Sequence, residues 1–231
     1  IGNQSVNENT LLTFVLSATD PDGNVLTYST NALTLPTGAS FNALTRTFSW
    51  TPTYDQAGAY LNVHFEVSDG TLTDVEDITI TVSNVNRAPV LTAIGNQSID
   101  ENALLSFVIS ATDADGDALT YSTNTLTLPT GASFNALTKT FSWTPTYDQA
   151  GTYANVHFEV SDGTLTDTED ITITVSNVNR APVLAAIGNK SVDENALLSV
   201  VISATDPDVN ALTYSTNTLT LPTGASFNEL T

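Results

Sequence analysis

Short runs in which apolar and polar residues alternate recur along the chain, and no stretch keeps a helical period. Val156-His-Phe-Glu-Val sets its valines and phenylalanine on one face and its histidine and glutamate on the other. Ile171-Thr-Ile-Thr-Val follows the same rule, and Phe107-Val-Ile-Ser-Ala-Thr is rich in the residues that favour strands. Between the runs lie turn formers: Gly95-Asn96, Asp100-Glu-Asn, Asp113-Ala-Asp-Gly-Asp, Pro129-Thr-Gly, Asp148-Gln-Ala-Gly and Asp162-Gly. The pattern predicts about seven short strands per unit, which is that of an antiparallel β-sandwich. Phe141-Ser-Trp143-Thr-Pro alternates its aromatics onto one face, so Trp143 and Trp50 are expected in cores, not on a platform for stacking sugar rings.

The elements repeat. Ile1-Gly-Asn-Gln-Ser returns at Ile94 and, as Ile187-Gly-Asn-Lys-Ser, at Ile187, a period of 93 residues. Residues 1–86 and 94–179 differ at 13 of 86 aligned positions. Asn86-Arg87-Ala88-Pro89 and Asn179-Arg180-Ala181-Pro182 mark the boundaries, because proline fixes the backbone and removes a donor. The organisation expected is residues 1–86 as a unit without its first strand, 87–179 as a complete unit and 180–231 as the N-terminal half of a third. Both ends fall inside a unit, and the chain reads as a window on a longer array. Sandwiches joined by linkers too short to fold are expected to form an extended rod.

Composition narrows the partners. Acidic residues number 25 against 5 basic ones, a net charge of -20. Nucleic acid is disfavoured, since phosphate binding needs basic clusters, and so are anionic membrane surfaces. No segment approaches the roughly 18 apolar residues of a membrane helix. Cysteine and methionine are absent, which suits life outside a cell. The acidity is read in two ways: as solubility in a salty medium, or as carboxylates converging on calcium.

Arg87-Ala-Pro-Val-Leu, Asp113-Ala-Asp-Gly-Asp-Ala-Leu-Thr-Tyr-Ser, Phe141-Ser-Trp-Thr-Pro and Val160-Ser-Asp-Gly resemble the immunoglobulin-like and dystroglycan-type cadherin-like repeats of large bacterial surface and secreted proteins. The resemblance spans essentially the whole chain. It implies an all-β fold of tandem immunoglobulin/cadherin-like sandwiches, display at the cell surface or in the extracellular space, an adhesive or spacer role, and calcium between domains. Carried over residue by residue, Glu8 would face Asp113, Asp115 and Asp162 across the first junction, and Glu101 would meet Asp206 and Asp208 at the second. Asp20, Asp22 and Asp69 are the counterparts in the first copy. The linker carboxylates of the calcium-binding pattern are replaced here by Asn84 and Asn86, or Asn177 and Asn179, followed by Arg87 or Arg180. Asparagine still offers an oxygen, but the arginine opposes a cation, so fewer or weaker ions are expected.

Read from its own residues, Asp113-Ala-Asp-Gly-Asp is either a calcium loop of alternate carboxylates or an Asp-Gly turn whose side chains satisfy backbone donors. It is not an EF-hand, because the glycine stands at position four. His64 and His157, the two histidines, sit opposite the core face of a strand and are expected at the surface rather than in catalysis. Gly-x-Ser-x-Gly is absent, and the paired carboxylates lie in turns rather than a cleft. Asn3, Asn96 and Asn189 open Asn-x-Ser triplets, which in a bacterial protein read as turn asparagines. The expectation is a non-catalytic structural or adhesive region that spaces or displays a distal functional domain. Its partners would be neighbouring repeats, other copies of itself, or a surface glycan or protein. The rivals are an accessory carbohydrate-binding region of a secreted polysaccharide-degrading enzyme and a repeat subunit of a surface filament.

Overall fold

A computed structural model describes residues 1–229. The chain divides into two units, Ile1–Ala88 and the residues from Pro89 onward.

In the first unit the alternating runs become β1 (Gln4–Asn7), β2 (Leu12–Val15), β3 (Thr27–Thr30), β4 (Ser40–Asn42), β5 (Thr47–Trp50), β6 (Gly58–Ser68) and β7 (Thr73–Ser83). They form two sheets, ordered β1-β7-β6-β3 and β2-β5-β4. The second unit repeats this with β8 (Val90–Leu91), β9 (Gln97–Asp100), β10 (Leu105–Val108), β11 (Ala111–Thr112), β12 (Thr120–Thr123), β13 (Ser133–Asn135), β14 (Thr140–Trp143), β15 (Gly151–Ser161) and β16 (Thr166–Ser176). Its sheets are β12-β15-β16-β9 and β10-β14-β13, with β8 paired to β11.

Most pairs are antiparallel, as the dense turns require, but one pair in each sandwich is parallel. β1 lies beside β7 with Gln4 opposite Ile80, and β9 beside β16 with Gln97 opposite Ile173. No hairpin joins these strands, since the chain passes through both sheets before its last strand comes back beside β1 or β9. The two long strands of each unit are the other departure from the expected short runs. Each spans eleven residues, and the first of each pair contains a bulge, between Tyr60 and Val63 or Tyr153 and Val156. Asn62 and Asn155 sit in these bulges with φ of 57° and 59°, a left-handed conformation that asparagine tolerates better than most side chains.

The cores follow the alternation. In the second unit Val156, Phe158 and Val160 of β15 and Ile171, Ile173 and Val175 of β16 are buried with Phe141 and Trp143. Phe107 stacks on Phe141 with ring centroids 5.0 Å apart, and Phe158 meets Phe141 edge-on at 5.9 Å. Trp143 is 1% exposed, packs edge-on against Tyr153 at 4.9 Å, and donates Nε1–H to the Thr130 carbonyl at 3.2 Å. Trp50 repeats this burial and bonds Thr37 in the same way. Burying these rings together with the aliphatic side chains of the long strands stabilises the sandwich.

Beyond the second sandwich the chain is thinly structured. β17 (Val183–Leu184) pairs with β18 (Ala204–Thr205), and Thr218–Thr220 form a 3-10 turn. Val183 and Leu184 are exposed, whereas Leu91, the counterpart of Leu184, is buried in the second core.

Candidate inter-repeat site

The residues that matter at the ends of the sandwiches are acidic, and backbone amides claim most of them. In the first unit Glu8 is 1% exposed; its Oε2 accepts the Val85 amide at 2.9 Å, while Oε1 has no hydrogen-bond partner. Asn84 is exposed and Asn86 half-buried. Arg87 lies over the Tyr54 ring, 5.3 Å from its centroid. Asp20 Oδ1 accepts the amides of Asp22 and Asn24, both at 2.9 Å. Asp69 Oδ1 takes the amides of Leu72 and Thr71 at 2.7 Å, and these bonds hold its carboxyl below the usual carboxylate value.

In the second unit Asp113 Oδ1 accepts the amides of Asp115 and Asp117 at 2.8 and 3.1 Å, as an Asp-Gly turn requires. Its Oδ2 is enclosed and has no hydrogen-bond partner. Carboxylate oxygens of Asp113, Asp115 and Asp117 lie within 4.8 Å of one another. Asp117 is not among the ligands that the family resemblance implies, though its place in Asp-Ala-Asp-Gly-Asp marks it in the sequence. Asp162 stands outside this group; its Oδ1 caps the next turn through the amides of Thr164 and Leu165, each at 2.7 Å.

Glu101, Asn179, Asp206 and Asp208 come together around the second linker, with Arg180 among them. Glu101, 3% exposed, accepts the Ala150 amide at 3.0 Å and the Val178 amide at 2.8 Å, so both of its oxygens are engaged. Asp206 Oδ1 accepts the amides of Asp208 and Asn210, repeating the Asp113 turn. Asn179 Oδ1 accepts Asn210 Nδ2, and Asn177 is exposed. Arg180 donates to Asp208 twice, its amide to Oδ2 at 2.5 Å and Nε to Oδ1 at 2.9 Å, and its Nη2 forms an ion pair with Oδ1 at 2.8 Å. Nη2 also donates to the Pro207 carbonyl at 2.8 Å and lies 3.7 Å from Asp148. The guanidinium sits over Tyr147, 5.1 Å from the ring centroid. Hydrogen bonding from Arg180 lowers the Asp208 carboxyl, and the same bond raises Arg180. The donor set at this linker fits a guanidinium rather than a divalent ion, because the oxygens of Asp208 and Glu101 already accept N–H bonds.

The histidines sit where alternation puts them. His64 and His157 face outward and contact Asp77 and Asp170 through Nδ1, at 2.8 and 2.7 Å.

A two-sheet sandwich with Phe and Trp cores, repeated along one chain, is an immunoglobulin/cadherin-like module. The family described as "Putative Ig domain" matches residues 1–83 and 88–176, and the chain belongs to it. Over 133 residues it is 34% identical to a chitinase A of Pseudoalteromonas piscicida, covering 56% of this chain and 16% of that protein. Over 183 residues it is 30% identical to a serine-rich adhesin for platelets of Staphylococcus aureus (strain USA300), covering 78% of this chain and 8% of that protein. The chain thus spans less than a fifth of the length of these relatives. Among solved structures, the first two extracellular domains of human protocadherin-24 overlay with a TM-score of 0.50 at 17% identity, covering 75% of this chain and 95% of that one. This overlay is a likeness of fold. Among the described residues no helix is long and apolar enough to cross a membrane.

Proposed function

We propose that this chain is a non-catalytic repeat region of a large extracellular or cell-surface protein, spacing or displaying a distal functional domain. The observation that carries the reading is that both tryptophans and Phe48, Phe65, Phe141 and Phe158 are buried, while both histidines and Asp162 are engaged in strand pairs and a turn. Likeness to an adhesin supports the extracellular setting. The similarity to a chitinase supports a second reading, an accessory region of a secreted polysaccharide-degrading enzyme. In that setting too, the buried tryptophans favour spacing over sugar binding. Soluble and insoluble glycans, including chitin, should neither be hydrolysed nor change the tryptophan fluorescence of the pure chain. Turnover abolished by one side-chain change, or a saturable fluorescence change with a glycan, would overturn the reading.

Calcium belongs to the proposal at Asp113, Asp115 and Asp117, where Asp113 Oδ2 is enclosed without a hydrogen bond. Extracellular modules bind calcium with dissociation constants of about 0.1–1 mM, so saturation at tenfold excess would stabilise the loop by roughly 1.4 kcal/mol. Calorimetric titration should give a signal in that range that disappears in a D113N/D115N variant. The absence of any signal would return the loop's acidity to turn formation and solubility.

A further inference from the structure

We infer that Arg180 is the resident cation of the linker after the second sandwich, clasping that sandwich to the following segment without metal. The inference goes beyond the spacer reading and holds whether the array spaces, displays or adheres.

Charge balance makes the case first. Asp208 has a side chain only 5% exposed, and a carboxylate so enclosed needs a counter-charge and donors to offset its lost hydration. Arg180 supplies both, donating its Nε–H and its own amide to the one carboxylate while Nη2 stands 2.8 Å from Oδ1 as an ion pair. The geometry also joins two regions of the chain. Asp208 and Pro207 belong to the loop after β18, whereas Tyr147 and Asp148 belong to the turn between β14 and β15 of the sandwich. Arg180 lies between them, over the Tyr147 ring. Glu101 adds to the negative potential around the guanidinium while its own oxygens fasten the linker amide of Val178 and the loop amide of Ala150.

A point ion would serve this place poorly. Calcium asks for six to eight oxygens, and here the oxygens of Asp208 and Glu101 are occupied by fixed N–H donors. A guanidinium has a planar fork suited to one carboxylate and a face suited to an aromatic ring. The chain places one of its five basic residues at this point, against 25 acidic ones. Arg87 occupies the same place in the preceding repeat and lies over Tyr54 as Arg180 lies over Tyr147.

Amide exchange in the full chain tests the clasp. The reporter is the Ala185 amide, which bonds the Ser203 carbonyl and lies five residues from Arg180, beyond its direct effect on intrinsic exchange. Core amides of β15 and β16 report that the sandwich remains folded. In the unchanged chain, exchange at Ala185 should be the same with chelator as with about 5 mM calcium, several times the usual dissociation constants. R180Q should speed it by roughly 3- to 10-fold, the effect of losing a charge-assisted hydrogen bond. R180K should fall between, because it keeps the charge and loses the fork. Unchanged exchange in R180Q, or slowing by calcium in the unchanged chain, would overturn the inference.

Discussion

Trp143 shows how much one residue of this sandwich carries. Its ring fills the space against Tyr153, and its Nε1–H shares the Thr130 carbonyl with Gln149 Nε2. Trp143→Ala should therefore destabilise the second unit by about 3–5 kcal/mol. Trp143→Phe should cost less, with the lost hydrogen bond accounting for about 1 kcal/mol; denaturant unfolding followed by circular dichroism checks both. At Asp208 the expectation concerns pH. Its folded carboxyl is held below the ordinary value of 3.8 by Arg180, so the clasp contributes its full stability above that value and loses it as pH falls through the lower folded one. Ala185 should accordingly keep its protection at about pH 4, apart from the intrinsic change in exchange rate, and lose it only on stronger acidification. Exchange measured across that range checks the sign. The two residues differ in how plainly the sequence announces them. The alternation in Phe141-Ser-Trp143 is local, so the burial of tryptophan is legible. Arg180 reads only as a charge hostile to metal, because Asp208 and Tyr147 lie 28 positions after it and 33 before it in sequence.

At the scale of elements, local patterning gives the strand faces, and long-range pairing escapes it. Val156, Phe158 and Val160 turn inward as their period requires. The eleven-residue length of β15 is hidden by Asn155, whose bulge shifts the register, and that of β16 by the polar Thr166-Asp-Thr-Glu-Asp at its start. The parallel partnership of β9 with β16 joins residues 76 positions apart and has no turn to announce it. Asn155→Ala should cost about 1–2 kcal/mol, since alanine has no comfortable left-handed conformation, whereas Asn155→Gly should be tolerated; thermal unfolding of the paired variants tests this. The segment after β17 invites a different measurement. Residues 186–202 belong to no ladder and contain almost nothing buried, so their amides should exchange orders of magnitude faster than those of β15 and β16. Residue-resolved hydrogen exchange would show the contrast.

For the whole molecule, repetition and composition convey the architecture and little of the task. The 93-residue period points to a modular chain, the net charge of -20 disfavours nucleic acid on physical grounds, and the family match places both sandwiches in one fold. The strand order of that fold bears on mechanics. In each sandwich the first and last long-range partners run parallel, β1 beside β7 and β9 beside β16. Tension applied through the chain pulls β9 from its leading end and β16 from its trailing end. Their hydrogen bonds then lie across the line of force and are sheared together, whereas those of the hairpin β15–β16, pulled from its open end, would break in succession. Each sandwich should thus resist stretching as a unit and yield in a single abrupt step. Force spectroscopy should find a rupture force well above that needed to peel the β15–β16 hairpin, and gradual lengthening at low load would contradict it. A chain that holds a distant domain against flow would gain its strength from this one parallel seam.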